Sequence, residues 1–286
     1  MALYRLTEPE GLIDPVVVTA FDGWVDAGSS ATAATKVLAE DSQIVVEFDG
    51  DQLFDYRARR PMLEIQDGRP ERLTWPTLQL RHRRIGERDI LVLSGAEPDF
   101  KWRRFSADVV EIAKKLNVAQ WISLGAIPAA VPHTRPVPIL GTSSRPGLLR
   151  AQVQPGPEGL LRVPAACISV VDVAVSRAGI PAVGYFAQIP HYISGAYPGA
   201  SAELLRVLGQ HLDIEPPLGD LQEEARALRK RLDTAAALDE NTRNYVTRLE
   251  GMADESRLPA GDDLIADIER FLRDSGSEMG GGGRPN

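Results

Sequence analysis

The 286-residue chain is short of nearly every residue type that announces a chemistry. A single cysteine, Cys167, excludes an internal disulfide and fits a reducing compartment. In its apolar setting it reads as a small core residue. The four histidines, His82, His133, His191 and His211, are too scattered for zinc-ligand spacing. Only five lysines stand against 27 arginines, so lysine-dependent chemistry has few candidates. No apolar run approaches the roughly 20 residues of a membrane span, and the first residues lack a basic-then-apolar leader. A soluble cytoplasmic protein with no membrane partner is expected. Neither a P-loop nor a glycine-rich dinucleotide fingerprint follows the first strand, and no nucleophile elbow or paired-histidine metalloprotease motif occurs. No cofactor and no metal are therefore expected, and a non-enzymatic role is favoured.

Positive charge is scarce as well. The formal net charge of −8 argues against a nucleic-acid partner, which would need a basic footprint. From Glu203 onward there are 18 acids against 11 bases; the first 202 residues hold 22 against 21, so the acidity belongs to the C-terminal part.

What is present is an ordinary globular composition, 43% apolar and 25% charged, in alternating strand-like and helix-like segments. Strands are expected at Leu12-Ile13 and Val16–Phe21, Gln43–Phe48, Leu78–Leu80, Ile90–Gly95, Gln120–Leu124, Leu149–Val153 and Ile180–Ile189. Between them, Ala31–Glu40 reads as a helix capped by Ser29 or Ser30. A second helix carries Trp102, Phe105, Val109, Ile112 and Leu116 on one stripe. A third spans Ala165–Arg177, and another buries Leu204, Leu205, Leu208 and Leu212. Gln52–Ile65 is charged and mixed, Asp67-Gly68 a turn, and Pro128–Pro146 a long loop. After Pro216-Pro217, Asp220 and Glu223 resemble a capping box, and Leu221, Ala225, Leu228 and Leu232 form a helical stripe. Tyr245, Leu249 and Met252 form another, and Leu264 to Leu272 a last short helix. The pattern predicts an α/β domain with a mostly parallel central sheet over 1–215, a C-terminal helical extension over 216–275 and a flexible tail over 276–286.

Candidate site residues cluster where strands end, the edge at which open α/β sheets bind ligands. The first loop holds Asp22, Gly23, Trp24, Asp26 and Gly28: two carboxylates and an indole beside a helix N-terminus. The acids could receive a cation, a hydroxyl or an amine; equally, Asp26 could serve the helix dipole while Trp24 packs. Glu97 and Asp99 follow the next central strand, Asp99 reading as a helix cap and Glu97 as the better functional candidate. Gln188, His191, Tyr192 and Tyr197 follow the last strand; there His191 could act as acid or base, or the group could recognise a polar ligand or a partner chain. Arg57-Ala58-Arg59-Arg60 and Arg81-His82-Arg83-Arg84 read as solvated faces.

Phe21-Asp22-Gly23-Trp24-Val25-Asp26-Ala27-Gly28, Gly95-Ala96-Glu97-Pro98-Asp99 with Trp102, Gly125-Ala126-Ile127-Pro128, and Gln188-Ile189-Pro190-His191-Tyr192 with Tyr197-Pro198 together resemble the proteasome assembly chaperone family in its actinobacterial branch. The resemblance implies a nucleoside-phosphorylase/hydrolase-like three-layer fold, a cytoplasmic homo-oligomer (a trimer is the expectation) and proteasome subunits as partners. It departs from the family's eukaryotic and archaeal docking tail, a hydrophobic–Tyr–any tripeptide, since the sequence reads Arg284-Pro285-Asn286. The alternative is a nucleoside-like ligand held at the carboxyl edge of the sheet, or a hydrolase or phosphorylase acting there with Glu97 and His191 as catalytic candidates.

Overall fold

Val16, Val18 and Ala20 face one way along their strand and Val17 and Phe21 the other, and every residue of the strand is buried. A strand apolar on both faces has to be covered on both. The computed structural model describes residues 2–151, 153–156 and 159–255 and shows how. In chain order its elements are β1 (Tyr4–Leu6), β2 (Val16–Phe21), α1 (Ser30–Leu38), β3 (Gln43–Phe48), α2 (Gly50–Leu53), β4 (Met62–Gln66), β5 (Arg69–Thr74), β6 (Leu78–Ile85) and β7 (Arg88–Gly95). There follow α3 (Trp102–Lys115), β8 (Gln120–Ala129), β9 (Ile139–Ser143), β10 (Gln154–Pro155), α4 (Cys167–Arg177), β11 (Ala182–Pro190), α5 (Pro198–Leu212), α6 (Leu221–Leu238) and α7 (Glu240–Glu255).

Nine strands form one sheet in the order β1-β3-β6-β7-β2-β8-β11-β9-β10, and β4 and β5 pair apart as a hairpin. The four central strands β7, β2, β8 and β11 are parallel. Antiparallel strands flank them, β6, β3 and β1 on one side and β9 on the other. Under one face, Phe105, Val109 and Ile112 of α3 and Ile168, Val171 and Val175 of α4 pack on Val17, Phe21, Leu91, Leu93 and Trp121. Over the other, Ala31, Ala34 and Leu38 of α1 and Leu204, Leu205 and Leu208 of α5 pack on Val16, Val18, Ile90, Val92 and Ile122. The α/β reading and the α3 stripe thus hold, with helix layers on both sides of a mixed sheet. The α6 helix extends the second layer by laying Leu221, Leu228 and Leu232 on α5.

Several local expectations are corrected. Leu12-Ile13 is not a strand: Ile13 is exposed, and its N–H donates to Asp89 Oδ2 at 2.9 Å. Neither Ser29 nor Ser30 caps α1 through its side chain; Ser29 sits at φ 49°, where its hydroxyl makes no capping bond, and Ser30 Oγ bonds Ala27 O instead. Asp220 likewise makes no side-chain cap bond for α6. The expected long loop contains β9, which borrows its partner from β11, while residues 149–151 and 153 are irregular and the short pairing strand begins at Gln154. Met252 points outward, leaving Val246 and Leu249 to bury α7. Leu264–Leu272 and the 276–286 tail lie outside the described residues.

Two ionisable groups, the buried His211 and the half-buried Asp172, oppose one another in pH. His211 on α5 accepts from the Gln120 side-chain amide at Nε2 (2.8 Å) and meets the Tyr185 hydroxyl at Nδ1 (2.6 Å). Burial, with Arg150 nearby, lowers it from 6.5 to about 4. Asp172 on α4 accepts from Ser123 Oγ (2.5 Å) and Trp121 Nε1 (3.0 Å), yet burial raises it from 3.8 to about 7. Below pH 6.5 the unfolded chain takes a proton that folded His211 refuses, so stability falls as pH drops toward 4. Above pH 4 the folded chain keeps a proton that unfolded Asp172 releases, so stability falls as pH rises toward 7. Relative to the wild type, His211→Gln should therefore gain stability as pH falls from 6.5 to 4, by up to about 1.4 kcal/mol per pH unit. Asp172→Asn should gain as pH rises through the same window. Urea melts at three pH values test both; a pH-independent offset from the wild type would refute the assignment.

Candidate functional site

Because β7, β2, β8 and β11 are parallel, their C-terminal ends release four loops at one edge of the sheet. Asp22 leaves β2, Glu97 and Asp99 follow β7, and His191 and Tyr192 follow β11. The edge is shared as expected, but the polar groups gather into two clusters.

The first is centred on Arg59. Its Nη1 lies 2.8 Å from both carboxylate oxygens of Asp22, and Nη2 reaches Glu97 O at 3.4 Å. Asp22 Oδ1 also accepts from Glu97 N (2.9 Å). Asp99 stands 4.0 Å from Arg59 Nε and accepts from Asp55 N at 2.8 Å. It does not cap α3, whose preceding residue is Lys101 at φ 58°. Glu97 Oε1 accepts from Cys167 N at 2.7 Å, which makes it the acceptor for the first turn of α4. Burial raises the Glu97 carboxyl above its ordinary value, opposed by the Cys167 bond and reinforced by Asp22. Gly23, at φ 110°, gives Glu97 room: a Cβ there would stand 3.0 Å from Oε2.

Asp26 is spent on its own helix. Its carboxylate accepts from Ala31 N (2.7 Å), Thr32 N (3.2 Å) and the Thr32 hydroxyl, so it occupies the capping role expected of the serines. Burial raises its carboxyl, and those three bonds pull the other way. Trp24, by contrast, does not pack; it is 69% exposed. Gly28, at φ 62°, is pressed against Tyr197, whose N–H donates to Gly28 O at 3.0 Å. Burial of Tyr197 pushes its hydroxyl up to about 12.

The second cluster joins β11 to the helical extension. The exposed His191 uses both ring nitrogens, Nδ1 with Ala129 O (3.0 Å) and Nε2 with the Tyr245 hydroxyl of α7 (2.9 Å). Tyr192 Oη meets His133 at its backbone N–H (2.8 Å) and at Nδ1 (2.7 Å). His133 is buried, with Nε2 3.4 Å from Asp233 of α6, and burial and Arg229 lower its pKa. Beside it Arg135 pairs with Glu250 (3.2 Å) and Asp254 (2.8 Å). Gln188 is apart from both clusters, bonded to Gln154 at 2.9 Å.

His133 is a weaker candidate than His191 in the sequence, whereas Arg59 and Tyr245 carry no site signal there at all. Arg59 sits in an arginine string, where nothing separates the one half-buried guanidinium from its solvated neighbours. No group of His, Cys, Asp and Glu among the described residues could hold a metal ion. No described helix is long and apolar enough to cross a membrane.

The sequence and fold have clear relatives. A family model described as the PAC2 family matches residues 20–236. A proteasome-assembly chaperone homologue from Mycobacterium tuberculosis is 36% identical, with a TM-score of 0.72 over 81% of this chain and 99% of its own. A PAC2 family protein from Streptomyces avermitilis is 34% identical, with a TM-score of 0.72 over 82% of this chain and all of its own. At 12% identity and a TM-score of 0.64, an archaeal proteasome activator from Pyrococcus furiosus shares the fold over 81% of this chain and 97% of its own. No curated protein sequence matches the chain.

Acids that serve as helix-end acceptors should show it as stability. Asp26→Ala should cost about 2 kcal/mol and Glu97→Ala about 1 kcal/mol, with Glu97→Gln close to wild type because an amide oxygen can still accept. Chemical denaturation measures this; an Asp26→Ala or Glu97→Ala protein as stable as the wild type would contradict it.

Proposed function

The chain belongs to the PAC2 family, and from that premise we propose that it works by binding proteasome subunits during assembly, as a cytoplasmic homo-oligomer rather than an enzyme. One observation carries this reading. At the edge where α/β enzymes keep their reactive groups, Asp22, Asp26, Glu97 and Asp99 are all engaged by backbone N–H groups, and Asp22 also by Arg59. His191 is bonded at both nitrogens. Around them Trp24 and Phe100 are left facing solvent. Acids committed to helix-end and loop N–H groups serve the scaffold, and exposed aromatic side chains are of the kind enriched where proteins meet. The α/β part to residue 215 is the rigid body in this reading, and the helices from 216 add an acidic flank. Kinship with the M. tuberculosis chaperone homologue supports proteasome components as the partners.

A second reading rests on a cleft of about 750 Å³ beside the Arg59 cluster, bordered by Asp22, Thr32, Lys36 and Arg81. It would take a small polar, nucleoside-like molecule.

The two readings separate experimentally. Tagged full-length protein should retain purified proteasome α or β subunits, and Trp24→Glu should weaken retention at least tenfold while the melting temperature is unchanged. Absence of retention at micromolar subunit concentrations overturns the assembly reading. A nucleoside or nucleotide that raises stability by about 2.7 kcal/mol at 100 times its dissociation constant would favour the cleft instead.

A further inference from the structure

Few buried polar atoms among the described residues lack a hydrogen bond, and one of them, His133 Nε2, belongs to a residue that borders a cavity. The cavity holds about 250 Å³ between α6, the N-terminal end of α5 and residues 133–137. Val137, Leu228 and Leu232 give it apolar walls, and His133, Tyr197 and Arg229 are set among them. The other two charged residues at its border are already spent. Arg135 is bonded to Glu250 and Asp254, and both carboxylate oxygens of Glu203 are held by Arg206.

Tyr192 decides what His133 offers. Its Oη accepts the His133 backbone N–H (2.8 Å), so the hydroxyl proton is turned toward Nδ1, 2.7 Å away. Nδ1 is then the acceptor of a neutral imidazole, and the ring proton sits on Nε2. Burial and the charge of Arg229 keep the ring neutral. Asp233 Oδ1 stands 3.4 Å from Nε2 without bonding it.

Two more donors accompany this one. Tyr197 is only 7% exposed, and its hydroxyl has no hydrogen-bond partner among the described residues. Arg229 bonds Asp233 through Nε (2.8 Å) and His133 O through Nη1 (3.0 Å), and its Nη2 is bonded to no described residue. The Arg229 charge is felt at both His133 and Tyr197. Buried donors are nearly always satisfied in a folded protein, so a site with spare ones calls for an acceptor.

We propose that this cavity binds a small monocarboxylate with a short apolar body, its carboxylate received by His133 Nε2–H, the Tyr197 hydroxyl and Arg229. An ionised carboxylate only accepts, and a guanidinium is the donor that holds it best. An ammonium group would meet donors alone. Inorganic phosphate would leave the walls of Val137, Leu228 and Leu232 unmatched. The volume falls below that of pockets for drug-sized ligands, which limits the apolar body to a few carbons. This site is separate from the cleft beside Arg59, and it does not depend on the proteasome partner.

Isothermal titration of the full-length protein with sodium isovalerate at pH 7 should show one site per chain, with a dissociation constant of about 1 mM or tighter. Isovaleramide, of the same shape without the charge, should bind at least tenfold more weakly. In protein labelled with ¹³C at histidine, the ring signal of His133 should move with the titration while that of His211 stays. Tyr197→Phe should weaken binding about fivefold without lowering the melting temperature, since the hydroxyl it removes is bonded to no residue. Arg229→Gln should weaken it at least tenfold, and Tyr197→Phe keeps the test decisive if that variant misfolds. Absence of any His133 shift at millimolar isovalerate, equal binding of the amide, or wild-type affinity in Tyr197→Phe would each overturn the proposal. So would tighter binding of inorganic phosphate, or of a blocked peptide ending in leucine, whose carboxylate comes from a chain end. None of these results touches subunit retention, which is scored separately.

Discussion

The Arg59–Asp22 pair joins the two parts of this molecule that matter for function. Asp22 is the first residue beyond the most buried strand of the sheet, so its position is set by both cores at once. Arg59 belongs to the long excursion between β3 and β6, which has little core of its own. Part-exposed ion pairs contribute only modest energy, so the pair matters through geometry. It fixes where the excursion leaves the sheet and therefore where the hairpin, Trp24 and Phe100 stand.

That geometry explains why the carboxyl edge is rich in acids without being reactive. Each helix that begins there presents unpaired N–H groups, and a carboxylate is the strongest neutralising acceptor available. Asp26 answers α1 from the same loop, whereas Glu97 answers α4 from 70 residues away in sequence. The two bonds brace the sheet edge against both helix layers. The cost of burying those charges is visible in the raised carboxyls of Asp26 and Glu97.

Most of the architecture was legible in advance because the central strands are continuous apolar runs and the helices carry clear stripes, as in Trp102 to Leu116. Errors fell where partners are distant in sequence. Glu97 seemed to have no structural duty because its donor, Cys167 N, cannot be located from the local chain. Asp99 looked like a cap because it precedes a helix, but the chain turns at Lys101 and hands Asp99 to Asp55. The sequence marks the Asp67-Gly68 turn but not the β4–β5 hairpin around it, because the exposed strands lack the alternation that a covered face imposes. Edge position alone groups His191 and Tyr192 with the acids of the first loop; the structure gives them to α7 and His133 instead.

The seam between α7 and the loop over residues 131–136 is of a different kind from the interior. Arg135 spans Glu250 and Asp254, and Thr134 bonds Glu250, so mobile ions compete directly for what joins them. At physiological ionic strength the Debye length is already about 8 Å, while the apolar layers on either side of the sheet are indifferent to it. Added electrolyte thus weakens the ion pairs of this seam while the apolar contacts of α6 and α7 persist, and dilution strengthens them, which makes the ionic composition of the surroundings a dial on that one joint.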